Sequence, residues 1–417
     1  MPVQWAGRSV ELSLDEVVAK YPEIPRQIAI KIDVQRRGVH YTERALSTVD
    51  LNLHQLRATE LFGSRDASLT PLPESLLLAD GTTILTDPTP VSSNPYYVDF
   101  RDNRLVLVDQ DKIVEEVEYW PKPEFYNHVT SSGVPMNFVA LGRPQRLCIS
   151  PASYCHFWKN DKGCRYCDIV PQFAQQKKEI GFYSRINPRD VSETVHQALK
   201  EPGRFTSICL TAGSNTQGAE PFDAEVDFYI ELLQAIGENF KTPRFPSQLI
   251  ATAFTEKQLT RLYENTGLTS YTADLEVLDE KLFDWICPGK AEWIGYREWK
   301  NRLKQAVTIF GRGNVNTGLV GGVELVPPYG YTDYDLALGH IFDEAEELAE
   351  SGVSTVYVVW VPRPGSYFRE YQNAPLEYYV RLALGLQAIR VKYQLTVDFD
   401  DYRRCGNHPD SDLARIS

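Results

Sequence analysis

The chain has no long apolar run. Nowhere in its 417 residues do the ~18–20 consecutive apolar residues of a membrane-spanning helix occur. The opening residues, MPVQWAGRSVELSLDEVV, also lack the apolar core behind a basic start that marks a secretory signal. No membrane partner and a cytoplasmic location are therefore expected. Positive charge is in deficit too. The 43 Lys and Arg face 56 Asp and Glu, for a net charge of −13. Duplex nucleic acid and anionic membranes need a basic surface, so small molecules, peptides and proteins remain as partners. Several catalytic signatures are missing: no G-x4-G-K-S/T phosphate loop, no H-E-x-x-H and no G-x-S-x-G.

What is present is the material of a folded protein, 43% hydrophobic and 24% charged, which excludes disordered, collagen-like and coiled-coil classes. At roughly 150 residues per domain the length suggests two or three domains. Residues 1–140 read as an N-terminal α+β domain of unknown role. In it, QIAIKIDVQRRG (27–38) reads as a strand, 43–62 as a helix, and the segments 73–88 and 94–120 as short strands with turn signals. Residues 121–135 read as a linker.

Beyond residue 145 the pattern changes to strand-length apolar runs alternating with amphipathic helix-length runs. Strands are expected at 146–150, 207–211, 248–253, 268–277, 315–326 and 355–361. Helices are expected at 191–200, 224–240, 255–266, 293–310, 334–351 and 375–393. Six successive β–α units require a parallel sheet with right-handed crossovers. The fold class is thus α/β: a partial (β/α)6 TIM-like barrel over 141–395, with its site at the C-terminal strand ends. Residues 396–417 form a polar tail expected to cover the barrel mouth.

The strongest chemical signal follows the first barrel strand. Cys155, Cys164 and Cys167 stand at C-x8-C-x2-C. In a cytoplasmic protein, clustered thiols point to metal or reactivity rather than disulfides. Soft thiolates suit zinc or iron–sulfur clusters. A structural zinc site, with a fourth ligand from His156, Cys148 or Cys405, would normally bring a second ligand pair, and none is evident. Unrelated buried thiols are a further reading, at odds with three cysteines in thirteen residues. The remaining reading is a 4Fe–4S cluster with one open iron.

On these residues the chain resembles the radical SAM (S-adenosylmethionine) superfamily. The family loop is C-x3-C-x-φ-C, with an aromatic residue before the last cysteine. Tyr166 holds that place, whereas the first gap is eight residues instead of three. Other segments agree with the resemblance. Thr211-Ala212-Gly213-Ser214 stands where the family has a glycine-rich turn for the amino group of SAM, without its usual charged residue. Glu276, ending the fourth strand, matches a polar contact to the ribose or carboxylate of SAM. Thr317 to Glu324 resembles the motif near adenine, with Gly321, Gly322 and Glu324. Cys287-Pro288-Gly289-Lys290 is similar to a segment of the biotin-synthase-like and hydrogenase-maturase-like branches.

The resemblance covers about 60% of the chain, from 145 to 395. It implies a 4Fe–4S cluster on Cys155, Cys164 and Cys167, with SAM on the open iron. It also implies a 5′-deoxyadenosyl radical that takes hydrogen from a small-molecule or peptide substrate, and an electron donor such as flavodoxin or ferredoxin. Tyr154, Phe157, Trp158 and Tyr166 are candidates for cation–π contact with the sulfonium. Cys405, in the tail, is a candidate hydrogen donor to a product radical, and Arg363 is a candidate for holding a substrate carboxylate. Two alternatives stay open: cluster-dependent aminocarboxypropyl transfer, and a zinc-stabilised barrel that binds without redox chemistry. No Asp-x-His-x-x-Gly cobalamin signature occurs, which disfavours a B12-dependent methylase.

Overall fold

The computed structural model describes residues 11–57, 72–87, 89, 93–152, 154–171, 174, 186–395 and 406–416. Two sheets organise them. The N-terminal sheet contains β1 (Val39–Tyr41), β2 (Ser75–Leu78), β3 (Thr83–Leu85), β4 (Tyr96–Arg101), β5 (Arg104–Asp109) and β6 (Lys112–Tyr119), in the order β1-β4-β5-β6-β2-β3. Only the β1–β4 pair is parallel.

The second sheet begins with β7 (Leu141–Arg143), antiparallel to β8 (Arg146–Ile149). Then follow β9 (Ser207–Thr211), β10 (Ser247–Ile250), β11 (Ser270–Thr272), β12 (Val315–Gly321) and β13 (Val353–Val359). From β8 to β13 the strands are parallel and adjacent in chain order. This is the expected six-unit half barrel. The helices that return the chain are Pro188–Ala198, Asp223–Gly237, Glu256–Asn265, Tyr296–Phe310, Tyr334–Glu350 and Leu376–Lys392.

The strands bury one face in the helical layer. Leu147, Ile149, Ile208, Leu210, Leu249, Tyr271 and Val315 are all within 3% of full burial, and Tyr271 stacks on Phe254 and Phe310 of that layer. Side chains alternate across a strand, so Arg146, Cys148, Cys209, Gln248, Thr272 and Asn316 share the inner face. Arg146 reaches Gln248, and Gln248 donates to the Thr272 hydroxyl at 2.8 Å.

The N-terminal domain departs from its sequence reading in two places. Residues 27–38 are not a strand: Arg26–Arg37 is a helix. Its alternating Ile28, Ile30, Ile32 and Val34 imitate a half-buried strand, but the helix is buried all round. Lys31, Asp33 and Gln35, which look like a solvated face, have interior partners. Lys31 binds Asp412 at 2.6 Å, Asp33 accepts from the Tyr96 hydroxyl at 2.6 Å, and Gln35 donates to the Gly406 carbonyl. Tertiary pairing here overrides the strand preference of β-branched residues. The helix expected over 43–62 is a single turn, Glu43–Leu46, and residues 58–62 lie outside the described residues. In the barrel, the helix expected from 293 is broken at Gly295, whose φ of 86° a non-glycine residue adopts only with strain.

Of the tail, residues 406–416 are described, and Cys405 lies outside them. Helix Pro409–Ile416 wedges between helix Arg26–Arg37 and mid-height β13. There Asp410 pairs with Arg390 at 2.6 Å and Asp412 with Lys31. Among the described residues no helix is long and apolar enough to cross a membrane.

Candidate active site

The cysteine loop leaves the C-terminal end of β8 and folds back over the barrel mouth. Several contacts fix its course. The His156 N–H donates to the Ser214 carbonyl at 2.8 Å, and the Arg165 N–H donates to the Ile286 carbonyl at 2.8 Å. The Arg165 guanidinium bonds the Trp285 carbonyl at 2.7 Å and lies 4.4 Å from the centre of the Tyr367 ring. Two glycines let the backbone come close. A Cβ on Gly213 would stand 2.3 Å from the Tyr154 carbonyl oxygen and 2.4 Å from the Cys155 Cβ. A Cβ on Gly289 would stand 2.6 Å from both the Lys162 carbonyl and the Phe157 Cβ. The turn after β9 and the Cys287–Lys290 segment, two of the matched motifs, are thus the bed on which the loop rests.

The three thiols are reduced and part-buried. Burial pushes Cys155 up to about 11, with the Cys164 charge adding to it, while the N–H groups of Ser214 and Phe157 oppose. Burial likewise pushes Cys167 well up, and the charges of Cys164 and Cys155 add to the shift. Cys164 is lowered, first by a hydrogen bond from Cys287, whose own thiol is pushed up by burial and by this bond. The thiols therefore repel one another once ionised, and a cationic centre between them would relieve that. Among the described residues no three His, Cys, Asp or Glu converge on one metal ion. An iron–sulfur cluster does not need that convergence, because it spreads its thiolates over separate irons. The donor set, its glycine bed and the N–H groups aimed at sulfur fit such a cluster.

Around Cys164 the structure gathers residues from other elements. Tyr166 adjoins the Cys164 thiol and lowers it, and its own hydroxyl is pushed well up by burial and by the charge of Glu276. Glu276 has a φ of 71°, a strained setting for a glutamate, and accepts from Lys290 Nζ at 2.6 Å. Lys290 also bonds the Asp274 carbonyl at 2.6 Å. Burial opposes the Lys290 charge, but Glu276 and the neighbouring thiols more than offset it and raise its pKa. Asp274 is raised to about 6 by burial, with the Glu276 charge adding, and its side chain accepts from the Gly318 N–H at 2.7 Å. Cys164, Tyr166, Glu276, Cys287 and Lys290 thus form one network.

The other expected residues divide. Ala212, Gly213 and Ser214 form the turn against which the loop lies, with Gly213 and Ser214 touching Tyr154, Cys155 and His156. Gly321, Gly322 and Glu324 sit together at the end of β12 against helix Leu376–Lys392. The Glu324 carboxylate accepts from the Gly322 N–H at 2.9 Å and from the Tyr378 hydroxyl, so it braces the turn. Arg363 holds the carboxylate of Asp87 in the N-terminal domain at 2.8 Å and thereby ties that domain to the mouth. Phe157 is buried, and Trp158 covers Gly163.

Glu225 escaped the sequence reading, since it looks like any acid of an amphipathic helix. It is 3% exposed and holds the glycine turn from below. Its carboxylate accepts from the Asn215 N–H at 2.7 Å and from the Thr252 hydroxyl at 3.0 Å, and that hydroxyl reaches Ser214 Oγ at 2.6 Å. Burial raises it from 4.5 to about 7, against those hydrogen bonds. The native state therefore keeps a proton that the unfolded state releases, and this contribution to stability falls as pH rises from about 4.5 to about 7. At 1.36 kcal/mol per unit the fall is roughly 3 kcal/mol. Urea midpoints of wild type and Glu225→Gln should diverge across this window and run parallel above it. Parallel curves throughout would contradict the assignment.

No family model matches the chain. Among curated proteins, the bacteriochlorophyllide c C-7(1)-hydroxylase of Chlorobaculum limnaeum is 24% identical over 281 residues, covering 63% of this chain and 64% of that protein. The chain thus spans just under two thirds of that relative's length. Among solved structures, HydG, a maturase of the FeFe-hydrogenase, aligns with a TM-score of 0.43 and 16% identity, over 63% of this chain and 52% of that one. A radical SAM methyltransferase from Sphaerobacter thermophilus aligns with a TM-score of 0.42 and 13% identity, over 91% of this chain and 92% of that one.

Proposed function

We propose, from its resemblance to the radical SAM enzymes, that this protein is a radical SAM enzyme holding a 4Fe–4S cluster on Cys155, Cys164 and Cys167. One observation carries the reading. The three-thiol loop stands at the C-terminal end of the first of six parallel strands and rests on the glycine turn of the second. Held by Cys155, Cys164 and Cys167, such a cluster would supply the one-electron reduction that cleaves SAM and so starts hydrogen abstraction from substrate.

The chain's own residues bind, orient and exclude water. Ser214, Phe157 and Ile169 direct N–H groups at Cys155 and Cys167, which fixes the ligand sulfurs. Cys287 and Tyr166 stand beside Cys164 and favour its thiolate form. Lys290 keeps a positive charge beside the thiolates. We assign Ala212, Gly213 and Ser214 to the amino end of SAM, Tyr166 and Glu276 to its ribose and carboxylate side, and Gly321 and Gly322, braced by Glu324, to its adenine. An electron donor such as flavodoxin or ferredoxin would reduce the cluster. The relative that hydroxylates bacteriochlorophyllide c favours a small-molecule substrate functionalised at a C–H bond over a peptide.

The test is the metal content after anaerobic reconstitution. Wild type should bind iron and sulfide in equal amounts and turn brown, and Cys164→Ala should lose both. A colourless protein holding one zinc ion would contradict the proposal.

A further inference from the structure

Two cysteines outside the loop face each other. Cys148 on β8 and Cys209 on β9 are direct partners in the parallel register. Leu147, Ile149, Ile208 and Leu210 turn to the helical layer, so both thiols lie on the inner face of the half barrel. Adjacent strands run about 4.8 Å apart, within the ~4.4–6.8 Å Cα separation that a disulfide spans. Both thiols are reduced, and the Cys209 side chain is near enough to Cys148 to perturb it.

They are not equivalent. Cys209 is 2% exposed, whereas Cys148 is only part-buried. The Cys209 side chain lowers the Cys148 thiol against its burial, with help from Arg146 and Arg143 and opposition from Glu74. A less buried, more acidic thiol beside a fully buried one is the arrangement that thiol–disulfide exchange uses.

We propose that Cys148 and Cys209 are a redox-active dithiol on the inner wall of the half barrel, with small-molecule disulfides as co-substrates. The Cys148 thiolate attacks one sulfur of the disulfide. A Cys148–S–S–R bond forms, the R–S–S–R bond breaks, and one RS⁻ leaves. Cys209 then gives up its proton and attacks the Cys148 sulfur. The Cys148–Cys209 bond forms and the second RS⁻ leaves. Two protein thiols are oxidised and one disulfide is reduced to two thiols. The bridge would pin β8 to β9, whose upper ends carry the cysteine loop and the Gly213 turn. None of this requires the cluster, so it stands or falls apart from the proposed radical chemistry.

The full-length protein is equilibrated, folded and anaerobic, with oxidised glutathione. Free thiols are then alkylated and the tryptic peptides are mapped by mass spectrometry. The peptide that begins after Arg146 carries both Cys148 and Cys155, so the assay is repeated in Cys155→Ala to remove ambiguity. A Cys148–Cys209 linkage should become the dominant form and be reversed by dithiothreitol. Cys209→Ser, or Cys209→Ala should the serine fail to fold, should trap glutathione on Cys148. Cys148→Ser should leave Cys209 unmodified. Full alkylation of both thiols in folded wild type would overturn the proposal. So would glutathione held on Cys148 of wild type without resolution to the linkage.

Discussion

Gly213→Ala is expected to lose most of the protein's iron while leaving the barrel folded. The new methyl group would stand 2.3 Å from the Tyr154 carbonyl and 2.4 Å from the Cys155 Cβ. Both neighbours are backbone or backbone-attached, so no flexible side-chain tip can yield. The loop itself must shift, and Cys155 moves with it. Disturbing the groups that orient a metal ligand typically costs about 10–100-fold in affinity or activity. Iron retained after desalting, and turnover with SAM, should both fall by that order. Gly339→Ala is the control: its new Cβ would meet nothing within 4 Å, and alanine favours the helix it sits in. If Gly213→Ala retains iron like wild type, the loop does not rest on this turn in the loaded enzyme.

The second large effect concerns stability. The side chains of Lys31 and Asp412 are both fully buried and bond at 2.6 Å. Asp412→Ala leaves the lysine charge in the interior without its carboxylate, a loss of about 3–5 kcal/mol. The double variant Lys31→Met, Asp412→Leu removes both charges and should recover most of that loss, since an apolar pair of similar volume is often neutral or better. Chemical denaturation of wild type, single and double variants reads this directly. A double variant as unstable as Asp412→Ala would mean that the tail docks through something other than this pair.

How far the sequence foretold the molecule depends on the range of the interactions. The half barrel was legible because each β–α unit is local. Strand-length runs such as SICLT became β9 without change, and right-handed crossovers leave little freedom in strand order. Helix Arg26–Arg37 was illegible because its buried polar residues are satisfied by distant segments, Lys31 and Gln35 by the far end of the chain and Asp33 by Tyr96. The spacing of Cys155, Cys164 and Cys167 announced a thiolate site. That Cys287 would hydrogen-bond Cys164, or that Lys290 would reach Glu276, follows only from how the helices after β11 return to the loop. Cys148 and Cys209 stand far apart in sequence and become a pair only through strand register. Glu225 gave no signal at all, because burial of a single acid is a property of packing.

The most direct test of the central claim is 5′-deoxyadenosine formation. The reconstituted protein is incubated anaerobically with SAM and a strong one-electron reductant, beside Cys164→Ala handled identically. The account predicts 5′-deoxyadenosine from wild type and none above background from the variant. Methylthioadenosine in its place would move the reaction to aminocarboxypropyl transfer, and no SAM cleavage by a protein that has bound iron and sulfide would contradict the radical assignment outright.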